Sequence, residues 1–387
     1  MYVVFHHIGL YVNDDLPADG VARKVCNYLL YGHYSVVIFI VLSGFCLMLP
    51  VVGNQGQIAG GAMTFFRKRA WRILPPYFLV LALSLLLIWL FIGTSAGTIW
   101  RNSLPLTPGA ILTHILLIQD WWASTATRIN YSLWSISIEW RIYFLFPVLV
   151  YCWGRVGPYL TVAATVVLST LLLIPLQYSS FDSMPDGACL HFYGLFALGL
   201  LAAGLGYSED PGLSRWRARL PWASLSLAMA AVTIVLNKVH QTRVYWQFQD
   251  ISLGFAAMCL LVAVVPSVNS DRWRWVRGAL GWTPLVFVGT FSYSLYLLHA
   301  PLLEIIWVYF VHPMHLTAAG SFALMGTGGF VVVVALSYLF FLFCERPFMR
   351  LRKSRILIPE PAAQIMDPEA GELIPEKART AGSSFIP

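Results

Sequence analysis

The sequence of 387 residues is 58% apolar and only 11% charged, with a mean hydropathy of +0.69. An ordinary soluble domain carries about 25% charged residues, so this composition excludes soluble enzymes, nucleic-acid binders and fibrous proteins and leaves a polytopic membrane protein. The formal charge of +7 would otherwise suit a polyanion, but here the placement of the charges matters more than their sum.

A spanning helix needs roughly 20 mostly apolar residues. The first apolar stretch, Met1 to Val12, is shorter than that. It lacks a basic n-region and a small-residue cleavage site, so it is not a cleavable signal peptide. His6 and His7 follow Tyr2-Val3-Val4-Phe5 and precede Asn13-Asp14-Asp15, which places them toward the outer half of a first span. A neutral imidazole there is suited to take a proton from a hydroxyl. The simpler reading, an interfacial histidine bonded to backbone or water, is the one that spacing alone favours.

The next runs fall at about 35–52 and 75–92. Between them, Phe65-Phe66-Arg67-Lys68-Arg69-Ala70-Trp71-Arg72 opens the third span, with Arg69 and Arg72 at i,i+3 on one helical face. Two guanidinium forks projecting together suit bidentate phosphate binding; anchoring to lipid phosphates is the alternative. The stretch 109–118 is too short to cross and reads as re-entrant or interfacial. The run at 137–153 is interrupted by Glu139 and Arg141, and charges inside a span are costly enough to be functional candidates. Trp134, Ser135 and Glu139 lie in its aromatic lead-in, with Ser135 and Glu139 at i,i+4. A purely structural pairing of Glu139 with an arginine is the competing reading.

Further runs fall at 159–176, 190–206, 221–236, 251–266, 284–311 and 317–343. Gly289 to Pro301, followed by Glu304, is the most polar segment among them and contains Tyr293 and His299. Pro301 should bend the helix and free backbone groups that protein or water must satisfy, the mark of a segment lining a cavity. His299 fits a site residue or a packing residue equally. The remaining histidines, including His33 and His191, receive no role. Residues 356–387 lack a hydrophobic period and read as a disordered cytoplasmic tail after a transmembrane domain at 1–355.

The expected fold is therefore all-α, a polytopic bundle of about ten transmembrane helices with the first truncated at its N-terminus. Orientation follows from Lys and Arg in alternate loops. One set, from Arg67 through Arg155, Arg215 and Arg272 to the tail, holds eighteen, and the other holds six. Both termini are thus expected in the cytoplasm, in a multi-pass protein of the bacterial cytoplasmic (inner) membrane. The six cysteines form no CxxC pair, so no zinc or redox site is encoded and no metal is expected. Cys26 and Cys189 could both face outward, but no pairing follows.

Together these segments resemble acyltransferase family 3, the integral-membrane acyltransferases acting on bacterial surface polysaccharides, peptidoglycan, lipids and some antibiotics. The resemblance rests on Val4-Phe5-His6-His7, Phe39-Ile40-Val41-Leu42-Ser43-Gly44-Phe45, Phe66 to Tyr77, Ser132 through Glu139, Ser292 to Pro301 and Glu345-Arg346-Pro347, in family order. It implies an intramembrane acyl transfer from acyl-CoA, most simply acetyl-CoA, used as a co-substrate with no bound cofactor. The acceptor it implies is a hydroxyl of a carbohydrate or lipid-linked glycan.

The family's histidine maps onto His6, with His7 as the alternative register. Its basic pair maps onto Arg69 and Arg72, and its Ser-xxx-Glu onto Ser135 and Glu139. His6 would act as base or acyl carrier, with Glu139 orienting it. Arg69 and Arg72 would hold the donor phosphates, and Trp134, Ser135, Tyr293 and His299 would line the substrate site. The expected surroundings are membrane lipids, with no nucleic acid. Two departures stand out. The family's arginine eleven positions before the histidine would fall before Met1, which suggests a start assigned about 20 residues too late, or a truncated copy. Trp140 stands where many members carry a second acid. The rival reading is a transporter or exporter of small acylated metabolites, in which buried His, Glu and Arg form a proton relay. A non-catalytic partner in glycan assembly is a third.

Overall fold

Long apolar runs without Gly or Pro clusters can satisfy their backbone groups in lipid only by closing i→i+4 ladders, and the chain does so almost throughout. A computed structural model describes residues 1–17, 20–93, 97–172, 189–238, 243–265 and 273–350, and the described residues contain helices and turns but no strand. In chain order the principal helices are α1 (Tyr2–Val12), α2 (Val21–Leu29), α3 (His33–Val52), α4 (Gly61–Ile92), α5 (Pro108–Ile115), α6 (Trp134–Val156), α7 (Pro158–Leu171), α8 (His191–Tyr207), α9 (Pro211–Arg219), α10 (Trp222–Lys238), α11 (Arg243–Val264), α12 (Ser292–Met314) and α13 (Ala318–Met349). The boundary expected at 355 and the tail beyond it lie outside the described residues.

Among the described residues six helices are long and apolar enough to cross a membrane: Val21–Val52, Gly61–Ile92, Trp134–Val156, Trp246–Val264, Ser292–Met314 and Ala318–Met349. A seventh crossing exists if α8 and α9, bent by 90° at their junction, count as one. The other segments of the expected ten are shorter helices, with 11 residues in α1, 14 in α7 and 17 in α10. The run expected at 284–311 is divided at Phe291 into a short helix, Thr283–Thr290, and α12. The run at 109–118 forms only the eight-residue α5, its first turn capped by the Thr107 hydroxyl on the Ala110 amide at 3.1 Å. Large apolar side chains such as Trp89, Leu227 and Phe343 stand exposed on the outer surface, as the lipid-facing side of a multi-pass membrane protein requires.

α8 is apolar all round and buried along nearly its whole length, packed against α3, α7 and α11. Small residues allow this, because association in lipid depends on close van der Waals approach. A Cβ on Gly44 would lie 2.1 Å from the Phe196 carbonyl oxygen, and one on Gly199 would lie 2.0 Å from that of Val41. α1 packs separately, with Val4, Ile8, Tyr11 and Val12 buried among Phe291, Leu295, Leu303 and Met325. That packing carries its two histidines onto α12.

Gly199→Val should therefore destabilise the protein by about 1–3 kcal/mol, the usual cost of overpacking, seen as a lower unfolding midpoint in detergent. Gly278→Ala, whose added Cβ meets open space, should leave that midpoint in place.

Candidate active site

α1, the start of α3, the start of α6 and the N-terminal part of α12 converge on a cavity of about 170 Å³, bordered by His6, His7, His33, Asp120, Trp134 and Tyr296 among others. The hydrogen-bond network fixes how the imidazoles present themselves. A carbonyl oxygen only accepts, so the 2.9 Å contact from His6 Nδ1 to the Leu29 oxygen is donated by the ring. His6 Nε2 is left with its lone pair. Gly32 permits this close seating, since a Cβ there would lie 2.2 Å from His6 Cγ. His299 Nδ1 likewise donates to the Tyr296 carbonyl at 2.6 Å, so its Nε2 must accept the 2.9 Å bond from His7 Nδ1. His7 is thus also left with a basic Nε2. Both adjacent histidines are neutral proton acceptors at that atom, held by backbone or by a second histidine.

The Ser135 and Tyr296 hydroxyls meet at 2.6 Å between α6 and α12. One turn further along α6, Glu139 is buried and accepts from Tyr143. It also feels the charges of Arg69 and Arg72. The Arg69 guanidinium stacks 5.6 Å from the Tyr143 ring centroid and 5.8 Å from that of Phe65, geometry within cation–π range. Glu345, buried on α13, accepts from Ser294 and feels Arg72, while Tyr293 donates to the Ile73 carbonyl at 3.0 Å.

Two arginines and two buried carboxylates therefore form one cluster, from which a polar seam between α6 and α12 leads through Ser135 and Tyr296 toward the cavity. Of the residues expected at the site, His6, His7 and Trp134 border the cavity, whereas Arg69, Arg72 and Glu139 do not. No hydrogen bond joins Glu139 to His6 among the described residues. Ser135 and His299 reach the cavity wall through Tyr296 and His7, and Tyr293 sits in the arginine cluster.

Several residues at the site carried no signal strong enough in sequence. Arg141 pairs not with Glu139 but with Asp120, through two bonds, one of 2.7 Å and one from Nη2 to Oδ2. Ser137 adds a 2.7 Å bond to the same carboxylate. Positions i and i+2 point to different sides of a helix, which keeps Glu139 and Arg141 apart. Asp250 accepts from His33 Nε2 at 2.8 Å and from His191 Nε2 at 2.9 Å. A carboxylate at the head of an apolar run was the available clue. Glu304 is buried and takes bonds from Tyr11 at 2.8 Å and Thr98 at 2.7 Å, tying α1 to α12. Cys26, Cys46, Cys152, Cys259 and Cys344 are free thiols, and no group of three or more His, Cys, Asp or Glu among the described residues is placed to hold a metal ion.

The described residues thus form a helical membrane bundle in which two histidines with proton-accepting nitrogens border one cavity. Residues 1–342 match the acyltransferase family 3, described as an acyltransferase domain, and the chain belongs to that family. It is similar to the Bacillus subtilis (strain 168) protein named "Putative peptidoglycan O-acetyltransferase YrhL", with 23% identity over 327 residues. That alignment covers 77% of this chain and 49% of the relative, so the chain spans about half the relative's length. No solved structure matches.

Removing the Asp120 carboxylate would leave Arg141 without its main counter-charge in the interior. Asp120→Ala should cost about 3–5 kcal/mol, as for other broken buried pairs, while replacing both partners with apolar residues of similar volume should recover most of it. Chemical unfolding in detergent reads both.

Proposed function

We propose that this enzyme is an O-acyltransferase that moves an acyl group, most simply acetyl, from acyl-CoA to a hydroxyl of a carbohydrate or lipid-linked glycan. The observation that carries this reading is His6 on the cavity wall, its Nδ1–H held by a carbonyl and its Nε2 left basic. The name of the B. subtilis relative, "Putative peptidoglycan O-acetyltransferase YrhL", supports a glycan hydroxyl as acceptor.

In the proposed reaction the acceptor hydroxyl loses its proton to His6 Nε2 as its oxygen attacks the thioester carbonyl, and the carbon–sulfur bond then breaks. Trp134 offers a flat apolar face to a sugar ring. His299 holds His7 in the tautomer that keeps a second basic nitrogen beside the first. Arg69 and Arg72 are assigned to the donor phosphates, with Glu139 holding them in place through Tyr143 rather than orienting His6. The polar seam past Ser135 and Tyr296 is the route between donor end and cavity. Burial strengthens every fixed charge along it and keeps water from the thioester. The proposed topology is ten crossings with both termini cytoplasmic, in the bacterial cytoplasmic membrane. That puts the arginines at the cytoplasmic mouth, where acyl-CoA is available.

His6→Ala should lower transfer of radiolabelled acetyl from acetyl-CoA, assayed in membranes, by about 10²–10⁴-fold, the usual contribution of a general base. Full activity in a folded variant removes the histidine from the chemistry. Arg69→Ala should raise the KM for acetyl-CoA more than it lowers kcat; an unchanged donor dependence would return the arginines to helix pairing.

A further inference from the structure

Beside α1, the cavity wall carries another imidazole with a different electrostatic setting. His33 opens α3 and borders the cavity, with Trp134 stacked parallel to it at a centroid distance of 6.2 Å and an interplanar angle of 5°. Behind it, on α11, lies Asp250, which is 2% exposed. One oxygen of this carboxylate, Oδ2, accepts from His33 Nε2 at 2.8 Å and from His191 Nε2 at 2.9 Å. The reaction proposed above does not use these three residues.

Charge counting assigns the state of this cluster. With both rings neutral, a buried carboxylate would hold a net negative charge away from water, a costly arrangement. One additional proton makes the cluster neutral. It has two possible seats, because each ring already uses Nε2–H toward Asp250. His191 is buried and its Nδ1 has no partner among the described residues; a proton there would be a charged donor with nothing to accept it. The His33 side chain is 20% exposed against 5% for His191, and it faces the cavity. The proton therefore belongs on His33 Nδ1. His6, by contrast, is bonded to a carbonyl and neighboured by His7, with no carboxylate bonded to it. Two imidazoles on one cavity, one backed by a carboxylate and one not, are set to opposite tasks.

We propose that His33 is a second catalytic residue, the general acid that protonates the departing sulfur, and that Asp250 and His191 are positioning residues that keep it charged. The assignment rests on the acyl-CoA reading above. In the step, the acceptor oxygen forms its bond to the acyl carbon and gives its proton to His6 Nε2. The carbon–sulfur bond breaks with its electron pair going to sulfur, and His33 gives its Nδ1 proton to that sulfur, leaving as free thiol. Thioester and alcohol thus become ester and thiol. One proton then passes from His6 back to His33 to reset the site.

A leaving group that needs no proton provides the test. Acetyl-CoA and its selenium analogue differ at the departing atom alone, and a selenol leaves readily as its anion. His33→Gln should lower kcat with acetyl-CoA on the order of 10²-fold, with far less loss for the selenium analogue and a KM for donor changed little in either case. Asp250→Asn, which keeps shape and hydrogen bonding but removes the charge, should show the same pattern, and Asp250→Glu should restore part of the rate. Thermal unfolding of each variant in detergent separates these effects from misfolding.

Equal losses with the two donors would make His33 structural, and a change confined to the acceptor KM would make it an acceptor-binding residue; either result overturns the proposal. If the aspartate variants do not fold, the donor comparison in His33→Gln still decides. A wild-type protein that transfers from neither donor would overturn the acyl-CoA reading itself, whereas wild-type transfer with equal losses in His33→Gln would sink this inference alone.

Discussion

A polar group placed among lipid-embedded helices has no water to fall back on, so each must find its partner within the protein or leave the fold with an unpaid desolvation cost. This constraint shapes the molecule more than any single contact. Glu304 is held by Tyr11 and Thr98, Asp120 by Arg141 and Ser137, Glu345 by Ser294, and Asp250 by two histidines. The bonds of Glu304, Glu345 and Asp250 link segments 51 or more residues apart. The polar residues thereby set which apolar helices are neighbours, a selectivity that Leu and Val packing against lipid-like surroundings cannot supply alone.

The same constraint separates the site into regions of unlike charge. Around Arg69 and Arg72 two positive groups face the buried carboxylates of Glu139 and Glu345, so the cluster is balanced before any ligand arrives. An anionic ligand binding there would compete with Glu139 and Glu345 for the guanidinium groups. The cavity wall formed by α1 is different. Its histidines are neutral, their hydrogens directed into protein acceptors, and what remains at the cavity is lone-pair character. A bundle with a charged end and a basic cavity joined by a hydroxyl seam suits a reaction that binds a highly charged donor but performs its chemistry on an uncharged carbonyl.

Much of this was legible in the residues. Apolar runs located the helices because an 18-residue hydropathic stretch has few other fates, and α6 crosses despite Glu139 and Arg141 because both find partners inside. The i,i+4 pair Ser135 and Glu139 does share one seam, as its spacing required. Length misled where turns intervene: the run at 284–311 breaks at Phe291, and several apolar runs form helices shorter than a span. The partners of the charges were not legible. Nothing local connects Asp120 with Arg141, and Asp250 meets His33 and His191 only once α11 packs with α3 and α8, the last two brought close where Gly44 and Gly199 leave room. Intramembrane carboxylates can be found from sequence, but the identity of their partners belongs to tertiary structure.

His6 shows why the sequence framed its own question too narrowly. A histidine bonded to backbone and a histidine that does chemistry looked like competing readings of the same position. The geometry makes the two compatible, since the backbone bond occupies Nδ1 and leaves Nε2. The Leu29 carbonyl consumes the Nδ1 hydrogen, fixes the tautomer and restrains the ring, and Gly32 provides the space for that seat. A free imidazole would sample both tautomers and lose part of its basic population at any given atom, whereas this one presents Nε2 throughout. The second ring nitrogen of a catalytic histidine needs such an acceptor; in many enzymes a carboxylate supplies it and raises the charged form. A neutral carbonyl gives orientation without that bias, which is what the proton-accepting role proposed for His6 requires.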